Sequence, residues 1–182
     1  TASQTVGIEN NVNLGDQLFN YGVRINADLV QDVQCLLIPV NTARMGDQPK
    51  YEPMPWYYAP ILIPDPSSLI TKNIPGVKAD FTSVIELVGE HNSGLRVSPL
   101  LFSSAKAGLD KAPMQINPAV VTLSPESEFF AFSYLPVAVM LEGKFASVFA
   151  NRLTPPAITA GVKEKLKESK STKMIFVADG DI

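Results

Sequence analysis

The stretch Pro136-Val137-Ala138-Val139-Met140-Leu141-Glu142-Gly143-Lys144-Phe145-Ala146-Ser147-Val148-Phe149-Ala150-Asn151 governs how the rest of the chain is read. Pro136 to Leu141 is the most apolar run in the sequence. It is far shorter than the roughly 20 residues needed to cross a bilayer as a helix, and it has the length of a buried strand. Gly143 permits a turn. Beyond it, Phe145, Val148 and Phe149 fall on one face of a helix over Lys144 to Asn151. Strand, turn and helix in that order form the unit of an α/β protein.

Working outward, Lys173 to Ala178 and Leu95 to Ser103 read as further strands, as do Phe81 to Val88, Ala119 to Leu123 and Tyr58 to Ile63. Cys35 to Val40 is a near-continuous apolar run and reads as a buried strand. Val23-Arg24-Ile25 alternates. Leu14 to Tyr21 carries a helical stripe closed by Gly22. Asp28 to Val33 reads as a turn or helical turn, and Ser104 to Ala112 as a loop or short helix. Prolines 49, 53, 55, 60, 64 and 66 exclude long helices from 41–68. Short apolar strands joined by helical or loop crossovers predict one α/β domain over 1–182, with a central, largely parallel sheet and flanking helices. The crowding of β-rich stretches between Phe81 and Leu123 keeps a mixed sheet open. The chain stops just after a strong strand signal, which suits a fragment cut from a longer protein.

Composition narrows the function classes. The 182 residues are 46% hydrophobic and 18% charged, enough apolar surface for a packed core. Fifteen Lys and Arg against 18 Asp and Glu give a net charge of -3. That balance offers no basic excess for phosphates and argues against a nucleic-acid partner.

Catalytic and metal chemistry find few side chains. Cys35 and His91 are the sole cysteine and histidine, so a zinc site rich in either is excluded. A Cys35–His91 dyad requires an exposed, activated thiol, and Cys35 sits within an apolar strand pattern. His91 lies in a hydrophilic turn. No Gly-x-Ser-x-Gly, P-loop or Gly-x-Gly-x-x-Gly occurs. No cofactor is expected; the two acids of Asp179-Gly180-Asp181 could bind Ca²⁺ or Mg²⁺, but the remaining oxygen ligands are not evident, and the plainer reading is a turn whose acids begin the next helix.

Candidate binding residues remain. Trp56, Tyr57 and Tyr58 crowd a proline-bounded segment; such aromatics either anchor partners or pin a loop to the core. Glu142 and Lys144 flank the Gly143 turn. Asp179 and Asp181 follow the last strand, where open α/β sheets place ligands.

Several segments together resemble the gliding-motility ABC-transporter auxiliary family, also described as substrate-binding-like. They are Leu18-Phe19-Asn20-Tyr21-Gly22-Val23-Arg24-Ile25-Asn26, Asp28-Leu29-Val30-Gln31-Asp32, Pro55-Trp56-Tyr57-Tyr58, Ile70-Thr71-Lys72-Asn73, Pro136 through Arg152, and Met174-Ile175-Phe176-Val177-Ala178-Asp179-Gly180-Asp181. The resemblance implies a parent anchored in the cytoplasmic membrane of a Bacteroidetes-type bacterium, with this region on the periplasmic face. It implies an ABC permease and ATPase as partners. It also implies a fold akin to glutamine-amidotransferase-like or flavodoxin-like domains without the catalytic triad. The expectation is a non-catalytic domain that binds a partner protein or a substrate. The competing readings are a degenerate amidotransferase-like hydrolase using Cys35 and a purely structural spacer.

Overall fold

Alternating prolines set the geometry of the longest strand. In a computed structural model, which describes residues 5–89, 94–150 and 166–182, strand β5 runs over Tyr51–Pro64 and pairs antiparallel with β4, Cys35–Asn41. Pro39 lies opposite Pro53, and Leu37 opposite Pro55. Proline has no N–H to give, so pairs of this parity are the non-hydrogen-bonded ones. The ladder bonds fall on the other parity, that of Ile38 and Met54. The Thr42 N–H, which donates to the Lys50 carbonyl at 2.8 Å, continues it. The prolines therefore also remove donors from the outer edges of this ribbon.

The remaining strands are β1 (Thr5–Gly7), β2 (Val23–Ile25), β3 (Asp28–Asp32), β6 (Val77–Lys78), β7 (Ile85–Leu87), β8 (Arg96–Phe102), β9 (Ala107–Lys111), β10 (Met114–Ile116), β11 (Pro136–Gly143) and β12 (Thr172–Val177). A six-stranded sheet has the order β12-β11-β8-β5-β4, with β6 beside β5. Three two-stranded pairs, β1–β10, β2–β7 and β3–β9, surround it. Among the described residues every pairing is antiparallel.

This overturns the expected α/β fold with a parallel sheet. A parallel pair needs a long crossover, usually a helix, and no such helix is found among the described residues. The only α-helix among the described residues is α1, Gly15–Asn20. Asp28–Asp32, expected as a turn, is a strand paired with Ala107–Lys111, expected as a loop or short helix. Ala119 to Leu123, expected as a strand, instead contributes to a 3₁₀ helix, Pro118–Thr122, which starts with the Asn117 side chain accepting from the Ala119 N–H.

The decisive segment changes in its second half. β11 forms as expected, but Lys144 to Ala150 is not helical. Ala146 bridges Glu168 on the returning chain, and the Ser147 hydroxyl accepts from the Phe149 N–H in a local turn. Asn151 lies outside the described residues. Phe145 is buried in the core whereas Phe149 is 60% exposed, so the helical spacing of these aromatics does not mark one buried face.

β11 is the centre of the core because it is flanked on both edges and covered on both faces. Val137, Ala138, Val139 and Leu141 are all buried, together with Val23, Leu62, Ile85, Leu100 and Phe145. Each such aliphatic side chain contributes roughly 1.5–3 kcal/mol when fully removed from water. A smaller cluster, Val30, Val84 and Ala107, lies under the β3–β9 pair. There β9 passes so close to Phe129 that a methyl group on Gly108 would overlap the ring. No helix among the described residues is long and apolar enough to cross a membrane.

Candidate functional site

Side-chain alternation along β5 divides the three adjacent aromatics. Tyr57 points into the core, where it packs edge-to-face on Phe130 with centroids 4.9 Å apart and donates its hydroxyl to the Leu123 carbonyl at 2.8 Å. Trp56 and Tyr58 take the other face, edge-to-face at 5.1 Å. Tyr58 is itself buried and stacks on Phe81 at 5.8 Å. Burial raises the phenol pKa of both tyrosines, opposed in Tyr58 by its bond to the Asn117 N–H. Of the three expected binding aromatics, Tyr57 and Tyr58 are thus buried in packing contacts, and Trp56 lines a groove.

That groove has a volume of about 760 Å³. Trp56 and Phe81 form part of one wall, and the N-terminal segment with Val6, Ile8 and Leu14 supplies another. Met114 and Ile116 of β10 also line it. The lining is mostly apolar, yet Phe81 remains 49% exposed. Phe81 has a positive φ of 53°, a conformation that costs a bulky residue roughly 1–3 kcal/mol. Its N–H donates to the Tyr58 carbonyl at 3.0 Å, which fixes the ring beside Trp56. No sequence pattern marks Phe81 as a site residue, because a left-handed backbone at phenylalanine has no signature to announce it.

Two polar residues of the lining, Asp28 and Ser83, are tied down, and Glu9, Asn10 and Asn11 of the N-terminal segment also line the groove. Asp28 accepts the Val84 N–H at 2.9 Å through its carboxylate, and its carbonyl accepts the Ser83 hydroxyl at 2.7 Å. Burial raises the Asp28 pKa more than the Val84 N–H, the Asn26 side chain and the neighbouring Lys111 lower it. The cavity therefore offers apolar and aromatic contact beside a polar N-terminal segment, a composition that suits an apolar ligand or side-chain cluster with a polar end.

The other candidate residues stand apart from it. Glu142 pairs with Lys173 at 3.4 Å, and Lys144 with Glu168 at 3.5 Å, both across neighbouring chain segments at the surface. Exposed pairs of this kind contribute about 0–1 kcal/mol. Asp179 accepts the Asp80 N–H at 2.9 Å and the Asp181 N–H at 2.7 Å. Its carboxylate therefore holds a turn, while Lys78 pairs with Asp80 beside it. Among the described residues no group of three or more His, Cys, Asp and Glu side chains converges as metal ligands.

Cys35 is half-buried where the β4–β5 register shifts. Burial, then the nearby charge of Asp32, push its pKa up to about 11. The thiol is protonated at neutral pH, the opposite of an activated nucleophile. Its strand is also less buried than its sequence predicts: Leu37 is 58% exposed because β4 forms the outer strand of the sheet. His91, the other half of the supposed dyad, lies outside the described residues.

Neither a curated protein nor a solved structure matches this chain. A family profile does, over residues 1–182, and the chain belongs to the family of auxiliary components described as "ABC-type uncharacterized transport system".

Proposed function

We propose that this chain is a non-catalytic recognition domain of an ABC transport system, and that the groove beside Trp56 and Phe81 receives an apolar segment of a partner protein of that system. The observation that carries the proposal is the pairing of family membership with an open, aromatic-lined cavity of about 760 Å³. The permease is the partner first tested, with the ATPase recovered through it. The protonated Cys35 supports a role in binding over cysteine hydrolysis. The resemblance of Pro136 through Arg152 and its companion segments supports a periplasmic setting in a gliding-motility type of system.

The test uses the full-length parent in its native membrane. Trp56→Ala and Phe81→Ala should each reduce recovery of the permease and ATPase by about tenfold or more, as loss of a buried aromatic anchor does. Far-ultraviolet circular dichroism of the purified domain, which reports the backbone, should keep its sheet signature in Trp56→Ala. Undiminished recovery with both variants would sink the groove as the docking site. Recovery of neither subunit by the wild-type protein would favour the spacer reading.

A further inference from the structure

The charges on the wall of the groove have one sign. Among the described residues that line it, Glu9 and Asp28 are acidic and none is Lys, Arg or His. Asp28 faces Lys111 across the β3–β9 pair, and its carboxylate accepts the Val84 N–H at 2.9 Å, so its charge is partly offset. Glu9 is different. It is exposed on the irregular segment between β1 and α1, and among the described residues it makes no ion pair. The groove therefore carries a carboxylate with no cation of its own beside it.

The aromatic wall has the same preference. Phe81 stacks on Tyr58 with ring planes 22° apart and stays 49% exposed, which leaves its other face open. The face of an aromatic ring carries the negative part of its quadrupole. An ammonium or guanidinium head within about 6 Å of such a face, that of Trp above all, is attracted to it. Lining carboxylate and ring faces thus favour the same occupant charge. An acidic group would be repelled by both, and a purely apolar one would take water from Glu9 without replacing it.

We propose that the partner segment seated in this groove carries a lysine or arginine next to its apolar anchor, with the cationic head taken up by Glu9 and by the open ring faces of Trp56 and Phe81. This rests on the groove being the docking site, and it names the chemistry of the occupant. A basic side chain fits the lining along its whole length, because its methylenes lie on apolar surface while its head stays at the polar margin. Complementary charge of this kind selects among partners and sets the register of docking more than it adds raw affinity.

Recovery of the permease by the full-length parent from its native membrane tests the charge separately from the groove. Glu9 is exposed and outside every strand and helix, so Glu9→Gln and Glu9→Lys should fold as the wild type does. Glu9→Gln should lower recovery about threefold and Glu9→Lys about tenfold. Salt at about 1 M, where the Debye length is about 3 Å, should bring the wild type down to the Glu9→Gln level and leave that variant nearly unchanged. Equal recovery by wild type, Glu9→Gln and Glu9→Lys, with a loss in Trp56→Ala, overturns the cationic occupant and leaves the groove as the docking site. Higher recovery with Glu9→Lys overturns it too, since the occupant is then acidic. Undiminished recovery with Trp56→Ala and Phe81→Ala as well removes the groove itself.

Discussion

Asp32 and Asp179 make the same bonds in different surroundings. Each carboxylate accepts the N–H two residues ahead through Oδ1, from Gln34 at 2.8 Å and from Asp181 at 2.7 Å. Each accepts a distant backbone N–H through Oδ2, from Ser104 at 2.6 Å and from Asp80 at 2.9 Å. Asp32 also accepts the Ser104 hydroxyl at 2.5 Å. The difference is water: Asp32 is fully buried between β3 and the β8–β9 turn, whereas Asp179 is partly exposed at the end of β12. One motif thus serves as a core fastener in the first place and as a surface clasp in the second. The residue type alone does not say which.

Removing the two carboxylates should separate these roles. Asp32→Ala strands the buried Ser104 N–H and the part-buried Gln34 N–H and should cost about 3 kcal/mol, at roughly 1–3 kcal/mol per unsatisfied group. Urea unfolding would read that as a lower midpoint; a loss below the Asp179→Ala value would break the comparison. Asp179→Ala leaves donors that water can reach, and should cost about 1 kcal/mol or less. A larger loss would mean that the Asp80 contact is as sheltered as the core one.

The smallest effect is on pH. Burial raises the Asp32 pKa, and the bonds from Ser104 and Gln34 only partly oppose it. A carboxyl whose folded pKa is raised takes up its proton in the native state before the unfolded one does. Its contribution to stability therefore rises as pH falls through the folded pKa toward the unfolded value of about 3.9. Asp32→Asn cannot titrate, so the stability difference between wild type and Asp32→Asn should widen in favour of the wild type across that window. A difference that narrows on acidification would show that the three bonds outweigh desolvation.

Legibility in the sequence followed the strength of local pattern. Leu14 to Tyr21, Val23–Ile25, Leu95 to Ser103, Pro136 to Leu141 and Lys173 to Ala178 carry apolar periodicity and appear largely as read. β3 and β9 do not: Asp28-Leu-Val-Gln-Asp and Ala107-Gly-Leu-Asp-Lys are too polar to announce strands. They form one because each supplies the other's backbone partners and because Gln31 donates to Asp110 at 2.6 Å. Strand direction was illegible, since an apolar hexapeptide reads the same in parallel and antiparallel sheets. The pull toward a parallel sheet came from Phe145, Val148 and Phe149, whose spacing matches a helix that the chain does not form. At the groove, Trp56 was legible from its proline-bounded aromatic run. Its neighbours were not, because Phe81 is brought there by a backbone turn and Met114 and Ile116 by the β1–β10 pair.

The chain contains a single tryptophan, and it is the one on the groove wall, 5.1 Å from Tyr58. Its fluorescence therefore comes from one known position. Replacement of groove water by an apolar segment should shift the emission to shorter wavelength without any attached dye, and the ring of Tyr58 lies close enough to pass excitation to it. The molecule carries its own optical gauge of whether the groove is filled.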